Sequence, residues 1–215
     1  MNDIEYGCAD ASDRAYMEAL DKLLQKKPND YDTLLKKGIL SCEPFRRYEE
    51  SEAILDSLIE KNPCNVDAYF WQGECLFGYS GNCEKAEKVL RAALEIDPNR
   101  ADCHKVLAST LDSMHRDTYE IEFHYRRAIE LEPSWPAPRK FLASVLFDRG
   151  DFEQAQHELE LAIICLPKTV ERLDDPIVKF YETLITGRGV FGIEKDIIKF
   201  LNKIKVKIAE KNKNT

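Results

Sequence analysis

The chain has 215 residues, 44% of them hydrophobic and 33% charged, with a formal net charge of −8. That suits a folded domain with much surface for its volume and disfavours nucleic acid, whose phosphates need a basic face. No run approaches the roughly 18 apolar residues of a membrane-crossing helix, and seven scattered cysteines without a Cys-x-x-Cys pair fit reduced thiols better than an oxidised framework.

Residues 1–12 are polar and small and are expected to be flexible. Their acidic start (Met1, Asn2, Asp3, Ile4, Glu5) lacks the apolar core of a secretion signal, so a cytoplasmic location is expected. From Asp13 to Lys27, Tyr16, Ala19, Leu20, Leu23 and Leu24 share one helical face. A helix is predicted there, either a half repeat or a capping helix, with the element spanning 13–28.

From this point the chain is periodic. Prolines at 28, 63, 98, 133 and 167 are spaced by 35, 35, 35 and 34 residues, and they close the phrases LLQKKPND, LIEKNPCN, ALEIDPNR, AIELEPSW and AIICLPKT. Proline lacks an amide hydrogen and disfavours helix in the residue before it. Each phrase therefore reads as a helix end, and the Asn, Asp or Ser after it can cap the next helix. A second break divides each period into two helices. In the last it is Arg149-Gly150-Asp151, with Asp151 and Gln154 spaced as a capping box; Asp117 and Glu120 stand in the same relation, and Ser80-Gly81-Asn82 makes the turn in another.

These residues resemble the tetratricopeptide repeats, helix–turn–helix units of about 34 residues with small side chains at the eighth, twentieth and twenty-seventh places and proline at the thirty-second. Repeats are read at 31–63, 66–98, 101–133 and 136–167. The fourth fits most fully, with Leu142, Ala143, Leu146, Gly150, Ala155, Leu159, Ala162 and Pro167. The second has Tyr69, Gly73, Ala86, Leu90, Ala93 and Pro98, with one extra residue in its turn. The third has Leu107, Ala108, Leu111, Tyr125, Ala128 and Pro133, but Ile121 where alanine is usual. The first is most divergent: Gly38 and Pro63 are in place, while Ser51 and Leu58 occupy small-residue sites. Small residues at those places let neighbouring helices approach, and stacked pairs bury a core that one pair cannot. The fold expected from the resemblance is all-α, a right-handed superhelical solenoid of about four repeats with capping helices at both ends of an array spanning 13–167.

Residues 168–215 read as a final degenerate pair and a frayed tail. One helix is predicted from Asp175-Pro176 to about Thr186, and another from about Ile193 to Glu210, with Ile193, Ile197, Phe200, Leu201, Ile204 and Ile208 at helical spacing. From Glu194 onward seven lysines face three acids, +4, leaving −12 for residues 1–193. Lys195, Lys199, Lys203 and Lys207 lie opposite the apolar stripe. Such a helix can cap the array, or it can bind an anionic membrane or a partner helix; capping is the favoured reading.

Other motifs carry bland readings. Gly187-Arg188-Gly189-Val190-Phe191-Gly192 spells GxGxxG, but a dinucleotide site needs that phrase between a strand and a helix, so a turn between helices is expected. Arg149-Gly150-Asp151 sits where the inter-helix turn belongs. His104, His115, His124 and His157 lack metal-ligand spacing, and Cys103-His104 point apart on a helix. No catalytic residue, cofactor or metal is expected, and the oligomeric state is open.

The resemblance implies a groove lined by the first helix of each repeat. Its side chains would be Asp32, Leu35, Ile39 and Cys42, then Asp67, Phe70, Glu74 and Phe77, then Asp102, Lys105, Ser109 and Asp112, then Ala137, Lys140, Ser144 and Phe147. Leu35, Ile39, Phe70, Glu74, Phe77, Lys105, Ser109, Lys140 and Phe147 are the candidate contacts. The first two repeats offer an apolar strip and the later ones a lysine pair, which fits a peptide with one apolar and one acidic end; alternatively the chain's own N-terminal segment fills the strip. The family's clamp for chaperone tails wants lysine and asparagines where Leu35, Ile39 and Trp71 stand, so that use is not expected. The function expected is a non-enzymatic adaptor, assembly factor or chaperone for a protein or peptide partner, with nucleic acid not expected.

Overall fold

The computed structural model describes residue 9 and residues 11–43, 45–166 and 190–213. Every regular element among them is helical. They fall into two compact bodies divided after Pro98.

The first body holds α1 (Ala11–Lys26), α2 (Tyr31–Cys42), α3 (Tyr48–Lys61), α4 (Val66–Cys75) and α5 (Cys83–Ile96), each packed on the next. α1, α3 and α5 end two residues before Pro28, Pro63 and Pro98. Asp30 then accepts from the Thr33 amide (3.1 Å) and Asn65 from the Asp67 amide (3.0 Å), supplying acceptors to amides that helix geometry orphans. The extra residue of the second repeat is absorbed by a π-helical turn, Leu76–Ser80, that continues α4. Gly81 then takes φ 70°, and Asn82 caps α5 by accepting from the Lys85 amide (3.2 Å).

Close approach between α4 and α5 depends on Gly73. A Cβ there would sit 2.5 Å from Leu90 Cγ, and Leu90, Ala86 and Ala93 are fully buried. In the first repeat the contact at Gly38 is looser, 3.3 Å to Ile54 and Leu55. Ser51 and Leu58 are both buried at the divergent sites, and the Ser51 hydroxyl lies 3.6 Å from the Cys75 sulfur. Lys37 ties α2 to α1 through Asp21 (2.8 Å) and to α3 through Glu50 (3.5 Å).

The second body holds α6 (Ala101–Ser113), α7 (Thr118–Leu131), α8 (Pro136–Arg149), α9 (Phe152–Ile164) and α10 (Val190–Lys213), with α6 to α9 packed consecutively and α10 against α9. Ala108, Tyr125, Ala128, Ala143, Ala155, Leu159 and Ala162 are completely buried. Caps differ from the expectation that Asn or Ser follows each proline into that role. Arg100 and Trp135 are the N-cap residues and lend no side chain to the cap. Asn99 instead accepts from Arg127 (2.8 Å), and Pro136 begins α8 with no amide to satisfy. Asp117 caps α7 through the Tyr119 amide (3.1 Å). Asp151 makes no side-chain cap bond, and its carboxylate instead accepts from Arg149 Nε at 2.5 Å.

α10 buries Ile197, Leu201 and Ile204. Its Asp196 reaches Lys140 (3.6 Å), and its Phe200 meets Phe147 (centroids 5.4 Å). Lys203 Nζ lies 4.6 Å from the Phe147 ring centroid, and Lys211 pairs with Glu153 (3.4 Å). Contacts that advance together from Lys140 to Phe147 and from Asp196 to Lys203 mean that α10 runs parallel to α8. It therefore lies as the first helix of a further repeat would. The predicted helix at 193–210 falls inside it. The predicted helix from Asp175 to Thr186, most of residues 1–12 and Gly187 to Gly189 lie outside the described residues; Val190, Phe191 and Gly192 belong to the first turn of α10.

Candidate functional site

In the first body, α2 and α4 carry Leu35, Ile39, Phe70 and Glu74, and Phe77 stands on the π turn. Leu35 and Phe77 are half-buried, with apolar surface left over. Ile39 (3% exposed), Phe70 (4%) and Glu74 (4%) are interior. Phe70 meets Trp71 edge-on at 5.0 Å between centroids, which stabilises packing without offering a surface.

Glu74 shares its surroundings with Glu43, whose carboxyl burial pushes above the ordinary range; Arg46 opposes that rise and Glu74 reinforces it. The Tyr79 hydroxyl donates to Glu43, and the Tyr79 ring stacks on Tyr48 (6.2 Å). Beside them the Cys42 thiol is raised strongly by its contact with the Cys75 thiol and by burial, so it is held protonated and unreactive. Sequence reasoning missed this grouping because its members are separated by more than thirty residues.

In the second body, α6 carries Lys105 (7% exposed) and Ser109 (8%), and α8 carries the half-buried Lys140 and Phe147. The Ser109 hydroxyl bonds the Lys105 carbonyl (3.1 Å) and the Tyr125 hydroxyl (3.0 Å). Phe141, which the sequence did not single out, stacks on Tyr125 with centroids 5.9 Å apart and planes inclined by 11°. Both ammonium groups approach that ring, Lys105 at 5.6 Å and Lys140 at 5.4 Å from its centroid. Lys140 and Phe147 also touch α10 as described above, so part of this face is met by the chain itself.

His104 and His124 bring their Nδ1 atoms to 2.8 Å across α6 and α7. One ring must donate and the other accept. Both are buried, and twenty residues of separation gave no sequence signal. Arg149-Gly150-Asp151 occupies the inter-helix turn with Gly150 at φ 94°, and the Arg149 guanidinium is shared between Asp151 and Glu122 (2.6 Å). No helix among the described residues is long and apolar enough to cross a membrane.

The tetratricopeptide-repeat family model matches residues 45–110. Among solved structures, a tetratricopeptide-repeat protein of Thermus thermophilus, TTC0263, is 19% identical with a TM-score of 0.62, covering 73% of this chain and 84% of that one. MamA from Desulfovibrio magneticus RS-1 is 17% identical, with a TM-score of 0.62 and coverage of 72% and 86%. The type III secretion chaperone SycD of Yersinia enterocolitica, solved with a peptide of the translocator YopD, is 18% identical, with a TM-score of 0.51 and coverage of 66% and 93%. These identities show a shared fold. No curated protein matches the chain.

Proposed function

We propose that this chain, a tetratricopeptide-repeat protein, is a protein-interaction module without chemistry of its own, an adaptor, assembly factor or chaperone that holds a segment of another protein against the first helices of its repeats. The observation that carries the reading is the partly exposed apolar pair Leu35 and Phe77, on α2 and on the turn that continues α4, helices whose Ile39 and Phe70 are buried. Apolar surface kept out of the core next to buried neighbours is characteristic of contact sites. SycD, of the same fold, was solved holding a peptide, which supports a peptide or protein segment as the occupant. Partner binding through the basic last helix has less support, since Ile197, Leu201 and Ile204 are already buried.

Phe77→Glu should weaken partner capture by roughly ten- to a hundred-fold, the loss of a hot spot worth about 1.4–2.8 kcal/mol, at unchanged helicity. The test is affinity capture from cells that make the protein, wild type beside the variant, with circular dichroism on both. Undiminished capture by a folded variant would remove Phe77 from the contact.

A further inference from the structure

We infer that Lys105, with the Phe141 ring beneath it and Lys140 over the same ring, receives one carboxylate side chain of the partner segment, so that the segment facing the second body carries Asp or Glu at that point. The inference rests on the proposed holding of a segment by the first helices.

Lys105 is 7% exposed, and its ammonium lies over an aromatic ring. Among the described residues no carboxylate comes within ion-pair distance of it. A ring face repays only part of the hydration that a buried ammonium gives up. A lysine serving the fold alone would be expected to have a counter-ion, as Lys37 and Lys85 do in the first body. Lys140 approaches the same ring and has one acid, Asp196, at 3.6 Å. Two ammonium groups thus share one ring with a single ion-paired acid.

The floor is fixed. Phe141 stacks on the fully buried Tyr125, whose hydroxyl is held by Ser109, so the ring cannot swing aside to cover the charge. An acceptor arriving with a partner would complete the ion pair. The two lysines present point charges rather than an arginine fork, which suits a single carboxylate on a peptide.

The test is selection of a randomised displayed peptide library on the full chain and on Lys105→Met, which keeps the stem and removes the charge. Wild type should enrich peptides with an acidic residue at one register, and Lys105→Met should lose that enrichment. A selected peptide should bind at least about tenfold more weakly to Lys105→Met, with the same loss when its acid is replaced by the amide, and Lys105→Arg should retain most of the affinity. The urea midpoint of Lys105→Met should equal or exceed that of wild type; a lowered midpoint would show the ammonium to be structural and overturn the assignment. Selected peptides without an acidic position, or acidic enrichment that persists on Lys105→Met, overturn it while leaving segment holding intact. Failure to select any peptide sinks both.

Discussion

Gly73→Ala should destabilise the chain by about 1–2 kcal/mol, although alanine is the better helix former. A methyl group there meets Leu90 Cγ at 2.5 Å and Cδ2 at 2.6 Å, and overpacking of a filled core typically costs about 1–3 kcal/mol, with so short a contact in the upper part of that range. The gain in helix propensity, about 1 kcal/mol, offsets part of that. Leu90→Ala alone should cost about 2–5 kcal/mol, because the side chain is wholly buried. The double variant should cost less than the two singles together, by about 1 kcal/mol or more, since the added methyl occupies space the leucine vacates. Urea unfolding of all four proteins measures this coupling. Strict additivity would mean that α4 and α5 do not meet at this point.

The second large effect is expected in the ion-pair network of the second body. Arg149 bonds Glu122 (2.6 Å) and Arg126 bonds Glu122 (2.8 Å). Arg126 reaches Glu158 (4.0 Å), and Arg139 bonds Glu158 (2.8 Å), with the last two side chains each 12% exposed. The network joins α7, α8 and α9. Glu158→Gln should cost about 2–3 kcal/mol, below the range for a fully buried pair because some solvent reaches it, since it strands the Arg139 guanidinium without a counter-charge. Adding Arg139→Met should recover much of the loss.

The same network sets an acid dependence. Burial opposes ionisation of Glu122, but hydrogen bonds from Arg126 and Arg149 outweigh it and hold the carboxyl below its usual value. A depressed folded value contributes stability above the unfolded value and loses it as pH falls through the folded one. Stability should therefore drop below about pH 4, and Glu122→Gln should flatten that drop.

How far the fold could be read from the letters follows from what repeats. Proline every 34 or 35 residues, with Gly73, Ala86, Ala93, Ala143, Ala155 and Ala162 between, reports contacts every repeat makes, so the helix pairs and their close approach were legible. The π turn was legible only as a surplus residue, because sequence shows the insertion and not how a helix absorbs it. Arg100 stands at the cap of α6 while Asn99 pairs with Arg127, 28 residues distant, and Trp135 stands before a helix whose first residue, Pro136, has no amide to satisfy.

For the candidate site the sequence supplied positions only. Positions on the first helices were assigned by analogy with other repeats, but exposure depends on neighbours that periodicity does not specify. Phe70, Ile39 and Glu74 are covered, and Lys140 and Phe147 meet α10, whose apolar stripe pointed to capping without showing which side chains of α8 it would touch. Phe141 drew no notice, since its value comes from two lysines converging on it from different helices.

The most direct measurement of the central claim is photocrosslinking in the native cell, with a benzoylphenylalanine placed singly at Leu35, at Phe77, or at Tyr119 and Phe123, exposed aromatics on a second helix. Holding of a partner segment by the first helices predicts a discrete adduct from positions 35 and 77 and none from 119 and 123. Adducts from 119 and 123 alone would place the contact on the second helices and contradict the account.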